Sequence, residues 1–410
     1  MKQIDGGVTA AKGYQAAGVA AGIKYKDKKD MALVFTKTPA AVAGTFTTNV
    51  VKAAPVLWDK QVVEAGNPVH AVVLNSGIAN ACTGDEGKEY NLGMASAAAQ
   101  ACSVRTDEVL TASTGVIGMQ LRMEPVREGI KALKDALADT REAARAAAEA
   151  IMTTDTSSKE CAVTFEVEGT TVSVGGMSKG SGMIHPNMAT MLSVITTDAK
   201  VEHSLLQEIL RGAVSDSFNM ISVDRDTSTN DTCLLLANGE SGVVVEPDSE
   251  ACQALKEAVR FVACDLAKQM AGDGEGCTKL LEVTVEHAKT VEEAKILSKS
   301  VITSNLVKTA VFGSDANWGR ILCALGYAGV DFDPEVVDLT IRTEGEHGSQ
   351  SLTLVKDGVA TDYSEDEASG ILRQEAVTVI CDMKQGNKTA TAWGCDLTYD
   401  YVKINGDYRS

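Results

Sequence analysis

Short apolar runs alternate along the chain with longer stretches whose apolar residues recur every three or four positions. Runs of the first kind, bounded by turn residues, read as buried strands; the second period reads as amphipathic helix. Strands are predicted at residues 32–36, 70–74, 191–195, 233–237 and 280–285. Helices are predicted at 88–102, 125–153, 204–220, 250–270 and 291–306. In 125–153, Leu133, Leu137, Ala144, Ala148 and Ile151 keep helical spacing, and Pro125 suits a first turn. Residues 108–110 lead into a turn-like stretch at 111–118. Residues 161–167 and 171–174 flank Glu168 and Gly169 as a hairpin, followed by a Gly/Ser-rich stretch at 175–182. Beyond residue 285 the chain becomes strand-rich, through 337–341, 351–354, 377–381 and 389–402.

This interleaving predicts an α/β (α+β) layered fold. The change of composition near 285 divides it into a main domain, 1–285, and a smaller strand-rich C-terminal domain, 286–410. A doubly wound nucleotide fold lacks its markers. There is no G-x-x-x-x-G-K-[ST], and no G-x-G-x-x-G follows a strand and opens a helix. Residues 272–276, G-D-G-E-G, end a helix and read by themselves as a cap and turn.

Composition narrows the partners. Of 410 residues, 44% are apolar but only 4% aromatic, so the core is aliphatic. A net charge of −18 repels phosphate backbones and anionic lipid, which excludes nucleic acid and membrane surface as expected partners and favours small molecules. Ten cysteines include no C-x-x-C pair, so they read as free thiols of a reducing cytosol rather than zinc or redox sites. The N-terminus has no apolar signal region, and no apolar run approaches the ~18 residues of a membrane span. The five histidines are scattered, and no metal site is expected. These features together predict a cytoplasmic protein.

The most unusual segment is residues 178–199, SKGSGMIHPNMATMLSVITTDA. Lys179 stands among glycines, whose backbone N–H groups can turn toward an anion or oxyanion. Thr190 precedes a buried strand. A threonine there is ordinarily structural, its hydroxyl bonding a nearby carbonyl. It becomes a nucleophile if a base stands beside it. One solution is to make the threonine the first residue of a chain, so that its own α-amino group, with a pKa of about 7.7–8.0, is the base. That requires a cut between Ala189 and Thr190. The hydroxyl can make it by attacking the Ala189 carbonyl, forming an ester that then hydrolyses.

Residues 179–192, K-G-S-G-M-I-H-P-N-M-A-T-M-L, resemble the signature of the ornithine acetyltransferase family, the glutamate N-acetyltransferases of arginine biosynthesis. Further runs match in the family's order: 75–84 (NSGIANACTG), 111–118 (TASTGVIG), 152–156 (MTTDT), 223–232 (VDRDTSTNDT), 272–279 (GDGEGCTK), 314–319 (SDANWG) and 401–410 (YVKINGDYRS). The likeness runs from near residue 5 to the last residue. It implies that Thr190 cuts itself from Ala189, leaving chains 1–189 and 190–410, and then carries the acetyl group. Thr114 and Gly115 match the pair that stabilises the oxyanion. Thr153, Lys179, Glu275, Asn405 and Ser410, with Thr190, match substrate-binding positions. The family's last position is usually Thr; Ser410 keeps the hydroxyl.

The resemblance further implies ping-pong transfer of acetyl from N2-acetylornithine to glutamate without a metal or organic cofactor. Acetyl-CoA stays open as an additional donor. It also implies an α2β2 assembly of the cleaved chains, and a sandwich fold shared with self-processing N-terminal nucleophile peptidases of the DmpA type. The competing expectation is a self-processing aminopeptidase or amidase on that fold, in which water takes the acyl group.

Overall fold

A computed structural model describes residues 1–185, 191–345 and 348–407. The chain forms two compact units: Met1–Asn219 with Asp226–Leu266, and Met220–Arg225 with Ala267–Ser410. The passage at Leu266 lies inside the helix Glu250–Gly272, earlier than the composition change near 285. The strand Leu280–Ala288 spans residue 285 and is bonded on both sides into the second unit's sheet, so it holds the chain together across that point.

In the first unit one nine-stranded sheet runs in the order Lys2–Ile4, Lys159–Val167, Thr170–Lys179, Leu192–Thr197, Thr232–Ala237, Met31–Phe46, Val69–Asn75 and Val109–Ser113, with Tyr14–Val19 also on Met31–Phe46. The long strand Met31–Phe46 serves two halves. Its residues 31–36 pair with Tyr14–Val19, and its residues 41–46 with Thr232–Ala237. Between them the register against Val69–Asn75 shifts, from Phe35 to Ala40, around Pro39, which cannot donate to a ladder.

Side chains of a strand alternate faces. Ala32, Val34, Val72 and Leu74 from one half share a core with Met177, Leu192, Val194, Leu234 and Leu236 from the other, so the inner faces meet. Met31, Leu33, Phe35, Ala71 and Val73 point the opposite way, under the helices Gly84–Cys102 and Met123–Ala136. On the other half Gly176 faces Val262 and Leu266 of the Glu250–Gly272 helix. Helix, the two sheet halves and helix thus form the layered α/β fold that the interleaved pattern predicts, as the sandwich that the family resemblance implies. Parallel neighbours need a crossover, and helices supply it: Gly84–Cys102 joins Val69–Asn75 to Val109–Ser113, and His203–Asp216 lies between Leu192–Thr197 and Thr232–Ala237.

In the second unit the sheet order is Ile221–Ser222, Lys388–Cys395, Leu280–Ala288, Ala376–Asp382, Asp338–Gly345, Gly348–Lys356 and Val359–Ala360. Leu281, Val283, Val285, Val377, Val379 and Cys381 alternate onto a core completed by Val291–Thr303 and Trp318–Gly326.

Three sequence expectations are corrected. Residues 125–153 are two helices, Met123–Ala136 and Arg141–Ala150. Helical spacing survives the break, but the Ala138 backbone exchanges hydrogen bonds with Ala16 at 2.8 and 3.1 Å, and Thr140 caps the second helix by accepting from Ala143 N. The Gly/Ser-rich stretch at 175–182 is not all loop. The strand Thr170–Lys179 runs through it, laddered to Lys159–Val167 on one side and Leu192–Thr197 on the other, and residue 175 must be small because the Gly7 carbonyl lies only 2.0 Å from where its Cβ would be. The tail at 389–402 holds the strand Lys388–Cys395 and then the helix Tyr399–Gly406, whose Thr398 cap accepts from Tyr401 N. All ten cysteines are unpaired; Cys82 and Cys323 are exposed. Among the described residues no helix is long and apolar enough to cross a membrane.

Candidate active site

The motif runs of the first unit, far apart in sequence, are hydrogen-bonded to one another. Val109–Ser113 lies parallel to Val69–Asn75, opposing Ser113 to Asn75. The Ser113 hydroxyl donates to Asn75 Oδ1 at 2.7 Å, and Thr114 N donates to Asn75 O at 3.0 Å. Val116 N reaches Gly77 O at 3.1 Å, and Ala79 N returns to Val116 O at 3.0 Å. Asn230 ties in the third run, its Nδ2 donating to Ala79 O at 2.6 Å and Ser113 O at 2.7 Å. Thr114 and Gly115 therefore stand on a braced turn just past a buried strand. The sequence stretch 111–118 is strand as far as Ser113, and turn only beyond it.

Gly115 has φ of 127°, and a Cβ there would lie 2.3 Å from Gly77 C. Only glycine fits so close to another backbone. Among the described residues nothing accepts the Gly115 N–H, which leaves it available to an incoming oxygen. Lys179 Nζ lies 3.4 Å from Thr114 Oγ1. A lysine donating to that oxygen leaves the hydroxyl's own hydrogen to point elsewhere.

Lys179 is 5% exposed and Lys159 1%. Between them lies Asp155. Its Oδ1 accepts from Lys159 Nζ at 2.8 Å and Gly180 N at 2.7 Å; its Oδ2 accepts from Thr153 N at 3.0 Å. Burial opposes ionisation here, but the charges of Lys179 and Lys159 with these hydrogen bonds outweigh it and hold the carboxyl well below the usual range. Thr153 is half-buried, and its carbonyl accepts from Lys28 Nζ at 3.0 Å.

Asp231 behaves oppositely. It is buried, and among the described residues neither carboxylate oxygen has a partner in hydrogen-bond geometry. Burial pushes its pKa well above the usual range, against the Thr47 hydroxyl, the Met191 N–H and the Lys179 charge. The Thr47 hydroxyl spends its hydrogen on Ser228 O at 2.7 Å, so it can accept from a protonated Asp231. Asp231, Thr45 and Met191 line a small cavity of about 10 Å3, room for about one water. Asp59, behind the strand that leads to Thr114, is likewise pushed up by burial while accepting from Thr111 N at 2.8 Å.

In the second unit Glu275 is buried, and its Oε2 accepts from Asn405 Nδ2 at 2.8 Å. The turn that carries Glu275 is pinned to the Tyr399–Gly406 helix: Thr398 Oγ1 caps that helix and donates to Gly276 O at 2.6 Å. Lys279 Nζ reaches Ser314 Oγ at 2.8 Å and so joins another pair of motif runs.

Of the residues proposed from sequence, Thr114, Gly115, Thr153 and Lys179 are thus brought together in the first unit, and Glu275 with Asn405 in the second. Ala189, Thr190 and Ser410 lie outside the described residues. Sequence reasoning assigned no role to Asp155, Lys159, Asn230 or Asp231. The signal available was their position in or beside the runs MTTDT and TSTNDT. Among the described residues no three His, Cys, Asp or Glu side chains gather as a metal site.

Comparison with known proteins shows the family. The ArgJ family pattern matches residues 15–410. The arginine biosynthesis bifunctional protein ArgJ of Symbiobacterium thermophilum is 50% identical over 413 residues, spanning 100% of both chains. ArgJ 1 of Clostridium acetobutylicum is 49% identical over 98% of this chain and 97% of its own. A crystal structure of the Bacillus halodurans arginine biosynthesis bifunctional protein argJ is 40% identical, covering 52% of this chain and 96% of that one, with a TM-score of 0.47. Since the family match spans every run that meets in these two units, and identity near one half extends from end to end, the chain belongs to the ArgJ family, the ornithine acetyltransferases its motifs resemble.

Proposed function

We propose that this chain is an acetyltransferase of arginine biosynthesis that moves acetyl from N2-acetylornithine to glutamate through an acetyl-Thr190 intermediate. Thr190 Oγ attacks the acetamide carbonyl. The developing oxyanion takes hydrogen bonds from the Thr114 hydroxyl and the Gly115 N–H, and ornithine leaves as the amine. Glutamate then attacks the ester, and the same donors hold the second oxyanion. The α-amino group of Thr190, freed by cleavage from Ala189, takes and returns the proton. Lys179 attracts the substrate carboxylate, Thr153 holds the acetamido group, and Glu275 with Asn405 takes the substrate ammonium and α-groups; Ser410 completes the substrate contacts. The reaction exchanges acetyl between an ester and amines and calls on no cofactor.

The observation that carries this reading is the Thr114–Gly115 turn, with its free N–H and its hydroxyl 3.4 Å from a buried lysine, in a chain half identical to proteins named for arginine biosynthesis. The test is to incubate purified protein with N-acetylornithine and glutamate. Equal amounts of ornithine and N-acetylglutamate, with parallel double-reciprocal lines, are expected. Release of free acetate at the same rate without glutamate would favour the amidase instead. Those relatives are called bifunctional, which supports acetyl-CoA as a second donor; forming N-acetylglutamate from acetyl-CoA and glutamate alone tests it. We further propose self-cleavage into 1–189 and 190–410, an α2β2 assembly and a cytoplasmic location.

A further inference from the structure

The turn that carries Glu275 ends on a cysteine, and a second sulfur lies against it. Cys277 N closes this turn on Gly274 O at 3.0 Å, so Glu275 and Cys277 belong to one backbone unit. Cys277 is partly exposed, whereas Cys395, at the end of the strand Lys388–Cys395, is buried. The two are far apart in sequence, and no C-x-x-C spacing announces them. Gly274 leaves no side chain between turn and strand, since a Cβ there would lie 2.8 Å from Cys395 Sγ. The Cys277 S–H has two acceptors in reach, Gly272 O at 3.3 Å and Cys395 Sγ. The ammonium of Lys308, itself buried, donates to Cys395 O at 2.6 Å and lies 3.6 Å from Cys395 Sγ. Among the described residues no carboxylate pairs with it, for Asp396 spends its oxygens on the N–H groups of Thr278 and Lys279 and on the Thr278 hydroxyl. A buried ammonium needs a counter-charge, and the Cys395 sulfur is the group beside it that can become one. The Cys277 hydrogen bond first, and then the Lys308 charge, hold the Cys395 thiol below its ordinary range against burial and the Asp396 charge, while the same contact and burial raise Cys277. The two sulfurs thus hold one proton between them.

We propose that Cys277 and Cys395 are a redox-active dithiol, oxidised by a peroxide to a disulfide that displaces the Glu275 turn and weakens substrate binding. The effect on binding rests on the role of Glu275 in the acetyltransferase reading; the dithiol itself does not. The partly exposed Cys277 sulfur meets the oxidant. Cys395 takes its proton, Cys277 Sγ attacks a peroxide oxygen, an S–O bond forms as the O–O bond breaks, and hydroxide leaves. Cys395 returns that proton to the hydroxide and attacks the Cys277 sulfur; the S–S bond forms, the S–O bond breaks, and a second hydroxide leaves. The two sulfurs lose two electrons, which the peroxide gains as it becomes one water and one hydroxide. A disulfide sets its sulfurs about 2.05 Å apart, well inside any non-bonded contact. Cys395 is held by its strand, which pairs with Leu280 at this residue, so the turn with Cys277 and Glu275 is the part that moves.

The test titrates reduced protein with hydrogen peroxide, alkylates the remaining thiols and reads the peptides by mass spectrometry. A peptide pair joined through Cys277 and Cys395 is expected, complete before the exposed Cys82 and Cys323 are half oxidised, and dissolved by reductant. Cys277 and Cys395 both still free when Cys82 and Cys323 have been oxidised would overturn the proposal. Calorimetry should show the cross-linked protein binding ornithine about tenfold or more weakly, the worth of a lost charged hydrogen bond, with affinity restored by reductant. KM for N-acetylornithine should rise in parallel. Cys277→Ala should match wild type in reductant and keep its affinity through the peroxide treatment. Cross-linked protein with unchanged ornithine affinity, or a Cys277→Ala protein that loses affinity equally, would overturn the proposal. Cross-linking and ornithine binding are both read without turnover. Wild-type protein that shows both but transfers no acetyl would count against the acetyltransferase reading only, whereas reduced protein that binds no ornithine would overturn the link to Glu275.

Discussion

Replacing Gly115 by alanine tests the oxyanion assignment at the one donor that no side-chain deletion can remove. The new Cβ would lie 2.3 Å from Gly77 C, 2.5 Å from its O and 2.7 Å from its Cα. All three are backbone atoms, so no rotamer change relieves the clash. The residue would also be held at φ of 127°, a conformation closed to L side chains. Overpacking costs about 1–3 kcal/mol and the strained backbone about as much again, together well inside the usual 5–15 kcal/mol of a folded protein. The protein should therefore fold and relieve the strain by moving residue 115 away from Gly77. A shift of about 1 Å at a reacting centre costs about 100-fold, and loss of an oxyanion donor about 100- to 1,000-fold. Steady-state assay of acetyl transfer should show kcat falling by that factor, with KM for N-acetylornithine changed a few-fold at most. Gly118→Ala is the control. It shares a positive φ, of 80°, but a Cβ there meets nothing within 4 Å, so it should cost stability and leave kcat near wild type. A Gly115→Ala enzyme within about threefold of wild-type kcat would refute the reasoning, as would a Gly118→Ala enzyme equally impaired.

Thr190→Ala should remain a single chain on a denaturing gel and be inactive, whereas the parent should give two bands, the larger beginning Thr-Met-Leu-Ser on N-terminal sequencing. Asp231, its pKa raised by burial, keeps a proton that the unfolded chain releases near pH 4, so the native state binds more protons and stability falls as pH rises above that point, by up to about 1.4 kcal/mol per unit. In urea melts at pH 5 and pH 8, Asp231→Asn should narrow the gap between the two pH values, and an unchanged gap would mean that Asp231 is ionised in the fold. Asp155 has the opposite sign: its depressed pKa stabilises the protein above about pH 4, and that contribution is lost only on further acidification. Glu275→Gln keeps a partner for Asn405 but removes the charge, so KM for N-acetylornithine should rise about tenfold or more while the melting temperature stays near wild type; an unchanged KM would remove Glu275 from ammonium binding.

Residue types and their spacing were enough to place the strands at 32–36, 70–74 and 233–237, the hairpin around Glu168 and the Glu250–Gly272 helix. Each is set by local periodicity or turn chemistry, which a chain carries wherever it folds. The motif runs likewise marked Thr114, Gly115, Lys179 and Glu275 before any coordinates. What periodicity could not carry were interruptions made by distant partners. The Ala16 backbone claims Ala138 and splits one regular helical pattern in two, and ladders to Lys159–Val167 and Leu192–Thr197 make a strand of a Gly/Ser-rich stretch. Nor could sequence state what Asp155 and Asp231 are. Both are aspartates in threonine-rich runs and both feel the Lys179 charge; at Asp155 a second lysine and three hydrogen bonds outweigh burial and hold the carboxyl down, whereas at Asp231 burial prevails and pushes it up. An ionisation state depends on the free energy of an environment assembled from several segments, so it is decided when those segments meet.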